Sequence, residues 1–195
     1  CVCYSGECRL SEYLNGRSAD RGECIQACRS LYDLEDAEGN ILVKNKALLS
    51  LKDYNLYSRL EELAEVGVIS FKIEGRLKNA SYVKNVVRAY SMALDDIVAR
   101  HPDKYRRASL GVVRGGFEPN LEKTFNRGYT ELFIDGKRGQ WSSMNAPKSM
   151  GEEIGSVAGV RSTGRGTVDI TVKLRKHDIR LANGDGFAFV SGGKI

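Results

Sequence analysis

The sequence predicts an α/β part followed by an all-β part. Residues 58–99 carry apolar patterns in the order helix, strand, helix. Residues 148–195 carry short runs of alternating apolar and polar residues, separated by glycine-rich turns. A length of 195 residues with 42% hydrophobic residues suits a globular protein of about one domain or slightly more. We therefore divide the chain into residues 1–99, a connector with short strands at 100–147, and a small, truncated β-barrel at 148–195.

The N-terminal segment holds all 5 cysteines of the chain. They alternate with glycines and show no sustained helical or strand period, so we expect a loop-rich site at residues 1–30. The chain begins inside this motif, at Cys1 and without a Met. We expect it to be a piece of a longer protein.

A short helix is predicted at residues 58–66. Ser58 and Glu61 have the spacing of a capping box, and Gly67 stands where a left-handed residue would end the helix. Residues 68–73 alternate between apolar and polar side chains, which predicts a strand.

A longer helix follows this strand. Its apolar stripe consists of Val83, Val86, Val87, Tyr90, Leu94 and Ile97. In α/β proteins, ligands usually bind at the loop after the C-terminal end of a strand. Here that loop is residues 74–78.

Glycine and proline motifs break up residues 100–147, and only 129–134 suggest a strand. We expect this connector to pack locally.

The C-terminal part predicts strands at 167–174 and 187–190, with a turn at 183–186 and an earlier strand around Ile154 and Val157. We expect these strands to form the small β-barrel. Alternation places Phe187 and Phe189 in its core.

Charge is distributed unevenly. Residues 1–100 hold 14 Lys and Arg against 15 Asp and Glu, and residues 101–195 hold 16 against 10. The net charge of +5 therefore lies in the second half, which favours a polyanionic partner such as nucleic acid but also fits an ordinary solvated surface. No long apolar run or secretion signal is visible, so we expect no membrane partner and a cytoplasmic protein.

The cysteines allow three interpretations besides buried thiols without metal. Disulfides fit poorly because the count is odd and all cysteines lie near one end. Zinc prefers two close pairs, whereas only Cys24 and Cys28 form one. A four-thiolate iron–sulfur site tolerates the open spacings, and its ligands would be Cys1, Cys8, Cys24 and Cys28, leaving Cys3 as a spare thiol.

Several short motifs resemble one known family. Residues 1–11, CVCYSGECRLS, match the second half of the signature C-x4-G-x-C-x-(L/I/V/M)-S of the collagenase-like peptidase family U32. Further matches are NGR at 15–17, RGECIQACR at 21–29, LSLKD at 49–53, SFKIEGR at 70–76, NRGY at 126–129, PK at 147–148 and NGDG at 183–186. The resemblance covers nearly the whole chain.

The resemblance implies a fold and a set of activities. Residues 1–99 would be the last part of a TIM-like barrel, and residues 148–195 a small translation-factor-like β-barrel. Several members of the family carry a four-iron, four-sulfur (4Fe-4S) cluster and serve oxygen-independent hydroxylation of a tRNA or rRNA base, or of a quinone precursor. Others are named proteases or collagenases.

The family pattern also implies the same four cysteine ligands. Cys3 is not part of that pattern, and Ala27 stands where Pro is usual. Neither departure affects a ligand.

We interpret the chain as part of an RNA-modifying, hydroxylating enzyme with RNA as its partner. A protease is the alternative, but the sequence has no H-E-x-x-H or G-x-S-x-G motif, and His101 and His177 lie outside every dense motif. A second alternative is a non-catalytic RNA-binding module in which the cluster is structural. Its phosphate contacts would be Arg161, Arg165, Lys173, Arg175, Lys176 and Arg180.

The loop after the predicted strand supplies the other candidate site residues. Glu74 could accept a base N–H or a proton, and Arg76 could hold a phosphate or carboxylate with two hydrogen bonds, so these two are the candidate catalytic residues. Lys72, Lys78 and Arg29 are the candidate substrate-binding residues. The alternative is a charged loop with an internal ion pair.

Overall fold

The computed structural model describes residues 8–75, 78–136, 139–144, 148–164 and 166–191. The helices in these ranges are α1 (Leu10–Asn15), α2 (Leu60–Glu65) and α3 (Ala80–Arg100), with 3-10 turns at Ala19–Arg21, Ala27–Arg29 and Tyr57–Arg59. The strands are β1 (Tyr32–Glu35), β2 (Ile41–Lys46), β3 (Asp53–Tyr54), β4 (Tyr129–Thr130), β5 (Gly155–Ser162) and β6 (Val168–Leu174). None of the described helices is both long and apolar enough to cross a membrane.

The strands pair two by two. In the described ranges β1 and β2 are antiparallel, β3 and β4 are parallel, and β5 and β6 are antiparallel. The β3–β4 pair aligns Asp53 with Tyr129 and therefore joins the first part of the chain to the connector. These small sheets do not test the TIM-like barrel, the translation-factor-like barrel or the domain boundaries, all of which stay predictions.

The helix predicted at 58–66 is confirmed. The turn Tyr57–Arg59 leads directly into α2. Gly67 ends the helix with a φ of +96°, and the amide of Val68 donates to the Leu63 carbonyl oxygen at 2.9 Å. This is the left-handed termination that glycine permits without steric cost.

The predicted capping box is wrong. The Ser58 hydroxyl donates to Glu131, and the Glu61 carboxylate accepts two hydrogen bonds from Arg100 and lies 2.8 Å from His101 Nε2. Hydrogen bonds to a guanidinium are stronger than one to a neutral amide, so the tertiary contacts prevail. Arg100 and His101 hold the pKa of Glu61 below its ordinary value and tie α2 to the end of α3.

The long helix is also confirmed. Asn79 caps α3 by accepting a hydrogen bond from the Tyr82 amide at 2.8 Å. Val86 and Ile97 of the predicted stripe are buried, together with Ala89, whereas Val83 at its start is 41% exposed. Leu60, only 2% exposed, is the buried residue of α2.

The predicted strand at 68–73 is wrong. Residues 68–75 form no strand, and Ile69 is 95% exposed. A strand is stabilised by backbone hydrogen bonds to a neighbour, and within the described residues none lies beside this segment. An alternating pattern alone cannot supply that neighbour.

The connector does not pack locally, contrary to the prediction. The Ala47 amide donates to Met144, the Lys52 amide to Trp141, and the Ser143 amide to Ser50, at 2.8–2.9 Å. Both Ala47 and Ser50 are fully buried by these contacts. Residues 126–136 and 139–144 therefore complete the packing around residues 47–55.

The C-terminal part contains the expected hairpin. Strand β6 confirms the strand predicted at 167–174, and β5 confirms the strand predicted around Val157. The two pair from Gly155 with Leu174 to Ser162 with Val168. Gly155 must be glycine here, because a Cβ would collide with the Lys173 carbonyl oxygen.

The chain after this hairpin differs from the prediction. The turn at 183–186 is confirmed, with Gly184 at a φ of +97°. Residues 187–190 form no strand, and Phe187 and Phe189 are half exposed, so their predicted place in a core is wrong. In the described residues no third strand covers the apolar face of the hairpin.

Leu60→Ala should destabilise the chain by about 2–5 kcal/mol, because it removes a buried side chain and leaves a cavity. The matched control is Leu110→Ala, where the leucine is fully exposed and the change should stay within about 0.5 kcal/mol. Urea denaturation followed by circular dichroism measures both. Equal losses in the two variants would mean that Leu60 is not part of a packed core.

Candidate functional site

An ion pair joins two distant segments at the centre of the candidate site. The Asp53 carboxylate accepts hydrogen bonds from the Arg127 amide at 2.8 Å and from Arg127 Nη1 at 3.1 Å. The side chain of Arg127 is only 10% exposed and that of Asp53 27%. Partial burial strengthens the attraction between the two charges.

The turn that presents Arg127 is built by its neighbours. Asn126 is buried, and its Nδ2 donates to the carbonyl oxygens of Glu122 and Thr124. Its Oδ1 accepts from the Gly128 amide at 3.0 Å, and Gly128 has a φ of +78°. The Asn-Arg-Gly sequence thus makes a fixed turn at the entrance to β4.

Arg29 reaches the same region from the cysteine-bearing segment. Its Nη1 donates to the Ser50 hydroxyl at 2.9 Å and to the Leu51 carbonyl oxygen at 2.5 Å. Burial lowers the pKa of Arg29 and the charge of Arg127 lowers it further, while Cys28 and Asp53 act in the opposite direction. The guanidinium is therefore within electrostatic range of the ion pair and of a cysteine thiol.

Lys78 supplies a third cation. Its Nζ lies 3.1 Å from the centre of the Phe125 ring, and the guanidinium carbon of Arg127 lies 4.6 Å from the same centre. Burial lowers the pKa of Lys78, with further lowering by Arg127 and Arg29, against which Asp53 acts. We call Arg29, Lys78 and Arg127 the cation cluster; Asp53 is the carboxylate that interacts with all three.

The structure separates the five residues predicted to bind or convert substrate. Arg29 and Lys78 belong to the cation cluster, where the charge of Arg29 lowers the pKa of Lys78. Lys72 and Glu74 lie at the surface, where Lys72 Nζ is 2.9 Å from the Glu74 carboxylate, which matches the alternative of an internal ion pair in this loop. Arg76 lies outside the described residues. The catalytic roles of Glu74 and Arg76 stay predictions.

The cysteine predictions are only partly visible. Cys8, Cys24 and Cys28 are free, partly buried thiols. Cys24 Sγ accepts a hydrogen bond from the Gln26 amide at 3.3 Å and contacts the Ser11 hydroxyl. The described residues contain no group of three or more His, Cys, Asp or Glu placed to hold a metal ion, and Cys1 lies outside them.

The chemistry of these donors nevertheless suits an iron–sulfur cluster. Thiols that are not used in disulfides are the ligands such clusters take, and amide-to-sulfur hydrogen bonds of the kind made to Cys24 adjust their reduction potential. The four-cysteine ligand set stays a prediction.

Sequence reasoning did not assign Asp53, Phe125 and Arg127 to the site. The signal that could have found Asp53 and Arg127 was present in two of the family motifs, LSLKD at 49–53 and NRGY at 126–129, whereas Phe125 lies just before the second motif. Neither motif has a period or a catalytic pattern, so only the fold shows that they meet.

A cleft of about 540 Å³ lies beside β4, the strand that follows the Arg127 turn. Tyr129 and Asn55 line it, together with residues of the connector. Burial raises the pKa of Tyr129, to which the charges of Glu122 and Asp53 add. Tyr129 therefore lines the cleft and lies within electrostatic range of Asp53.

Comparison with known proteins assigns the family. The model of peptidase family U32 matches residues 1–143. The chain belongs to peptidase family U32. No solved structure matches it.

The U32 relatives carry two kinds of name. The 23S rRNA 5-hydroxycytidine C2501 synthase of Escherichia coli (strain K12) is 42% identical over 186 residues, which are 95% of this chain and 27% of the relative. The tRNA hydroxylation protein P1 of Bacillus subtilis (strain 168) is 32% identical over 80% of this chain and 38% of the relative. A collagenase of Porphyromonas gingivalis is 33% identical over 73% of this chain and 38% of the relative. The chain thus spans about a quarter to two fifths of these U32 relatives.

In this U32 chain, Asp53→Asn should reduce the free energy of unfolding by about 3 kcal/mol, because it leaves the Arg127 charge partly buried without its counter-charge. Asp169→Asn is the matched control, since Asp169 pairs with an Arg161 side chain that is 82% exposed. That change should cost less than about 1 kcal/mol. Urea denaturation measures both, and an Asp53→Asn variant as stable as the control would contradict the role given to the ion pair.

Lys78 should lose its proton at a lower pH than an ordinary lysine, because burial and two neighbouring guanidinium groups disfavour its charge. The pH dependence of amine acylation, resolved by peptide mass spectrometry, gives its pKa. Asp53→Asn should lower the midpoint further, since Asp53 favours the charged ammonium. A midpoint in the ordinary lysine range in both proteins would contradict the proximity of the three cations.

Proposed function

We propose that the protein carrying this chain is an iron–sulfur enzyme that hydroxylates a base of RNA. The observation that carries the proposal is the 42% identity, over 95% of this chain, to a protein named as an rRNA 5-hydroxycytidine synthase. Relatives named tRNA hydroxylation proteins match 69–80% of the chain and extend the same chemistry to a second RNA. Ribosomal RNA is the first substrate to test, with tRNA the second.

The site chemistry supports an RNA substrate. Arg29, Lys78 and Arg127 place three cations around one carboxylate in a partly buried position. A positive potential in a partly dehydrated site attracts a polyanion more strongly than the same charges in open solvent. The partial burial of these cations, rather than the total charge of the chain, gives this site its preference for a polyanion.

The cofactor part of the proposal rests on the thiols. Cys1, Cys8, Cys24 and Cys28 would hold a 4Fe-4S cluster, and such a cluster supplies one-electron chemistry when it is bound. Cys28 precedes Arg29 directly in the sequence, and its proximity raises the pKa of the Arg29 guanidinium, against the larger effect of burial. The same short segment would therefore bind the cluster and approach the substrate.

Proteolysis has weaker support from the site. His101 is paired with Glu61 and packs edge-on against Tyr105, and within the described residues its ring makes no hydrogen bond to a cysteine or a serine. His177 is exposed. A protease needs a nucleophile beside a positioned base or an open metal site. Proteolysis, which the collagenase name of some relatives suggests, is thus the alternative that gene deletion and a gelatin-cleavage assay must distinguish.

Deletion of the full gene should remove a hydroxyl group from one RNA base, seen as the loss of about one oxygen in the nucleoside mass spectra of rRNA or tRNA. The full-length gene should restore it, and Cys24→Ser should not, because a hydroxyl is a poor ligand for iron–sulfur clusters. Cys3→Ser is the matched control and should restore the modification, since Cys3 lies outside the ligand pattern.

Three results would oppose the proposal in different ways. Unchanged rRNA and tRNA after deletion would reject base hydroxylation. RNA binding by purified protein with no change in the modification would favour the non-catalytic module. Cleavage of gelatin by metal-free protein, abolished by a Cys or His substitution, would favour the protease.

A further inference from the structure

We propose that Arg29, Lys78 and Arg127 together bind one phosphate group of the RNA substrate. The inference rests on the proposed function for the identity of the RNA, and on the geometry of the cation cluster for the binding site. It assigns a substrate contact to three residues from three separate segments of the chain.

Charge balance is the first argument. Arg59, which is also partly buried, pairs with three carboxylates, those of Glu62, Glu131 and Asp135. Among the described residues, neither Arg29 nor Lys78 has a carboxylate within ion-pair distance, and the single carboxylate of the site is bonded to Arg127. Three cations with one carboxylate leave a surplus of positive charge, which a phosphodiester would reduce.

Free hydrogen-bond donors are the second argument. Arg29 uses only Nη1, which donates to Ser50 and Leu51. In the described part of the chain, its Nε and Nη2 make no hydrogen bond. A guanidinium edge with two parallel donors matches two oxygens of a phosphate.

The position of Lys78 is the third argument. Its ammonium lies over the Phe125 ring, which offsets part of the cost of burial but accepts no hydrogen bond of ordinary strength. The lowered pKa of Lys78 shows that the charged form is disfavoured in the absence of an anion. A phosphate placed beside Nζ would favour the charged form and take its donors.

The location favours a phosphate of the substrate RNA over an isolated ion. Arg29 follows Cys28, so an RNA strand bound at the cation cluster would be anchored next to the proposed redox centre. Fixing the backbone near the reacting base contributes to catalysis through orientation. A phosphate contact does not read sequence, so recognition of the base itself must come from other groups.

The test is RNA binding by the full-length protein, using a single-stranded RNA oligonucleotide of mixed sequence and fluorescence anisotropy at several salt concentrations. Lys78→Gln and Arg29→Gln should each weaken binding by roughly tenfold at low salt, the effect of losing one charge-assisted hydrogen bond. The slope of log affinity against log salt should become shallower by about 0.7 in each variant.

The matched control is Lys84→Gln. Lys84 is an exposed lysine on α3, six positions after Lys78, and it forms no ion pair with any of the described residues. Its removal deletes the same charge and should leave affinity and slope nearly unchanged. Lys78→Arg keeps the charge and should retain most of the binding, which separates loss of charge from loss of folding.

Competition by inorganic phosphate and by a nucleoside 5′-monophosphate distinguishes the sources of the phosphate. Weak competition by both, with strong effects of the Lys78 and Arg29 variants on RNA, supports an RNA phosphate. Tight inorganic phosphate binding that these variants abolish, with RNA binding intact, would overturn it in favour of a free anion. Variants that bind RNA like the Lys84 control would overturn the phosphate site even if gene deletion removes the hydroxylated base.

Discussion

The contact between Asp53 and Arg127 is the constraint on which the rest of the site depends. It joins two residues that are 74 positions apart in the sequence, next to the pairing of β3 with β4. The turn that presents Arg127, with Asn126 buried inside it, also places Phe125 beneath Lys78. The turn that forms the ion pair thus also supplies the ring against which Lys78 packs.

Asp53 is the single carboxylate among three cations. It stabilises the site but leaves part of the positive charge uncompensated. Asp53 compensates Arg127 directly and acts on Arg29 and Lys78 at longer range, where it works against the lowering of their pKa by burial. If carboxylates balanced all three cations, the site would not attract an anion. The surface pairs of Arg161 with Asp169 and of Arg175 with Glu153 show the contrast, because exposed and locally balanced charges give little preference for a ligand.

Local patterns predicted what local interactions determine. The stripe of α3, the glycine end of α2 and the alternation of β6 follow from helix and strand periods, and all three were found. The strand at 68–73 failed because a strand needs a partner that its own sequence does not specify. Arg29 and Lys78 were predicted individually, but their meeting with Asp53 and Arg127 was not, because short motifs far apart in sequence give no sign of contact. The Cys1 and Arg76 predictions fall outside the described residues.

The central claim is that a redox centre on the cysteine segment lies beside a cationic RNA site. Anaerobic purification of the full-length protein, with iron and sulfide analysis and Mössbauer spectroscopy, tests it most directly. The account predicts about four iron and four sulfide per chain and the Mössbauer signature of a cubane cluster, lost on Cys24→Ser. A colourless protein that purifies with zinc instead of iron, or whose cluster is unaffected by replacement of Cys8, Cys24 or Cys28, would contradict it.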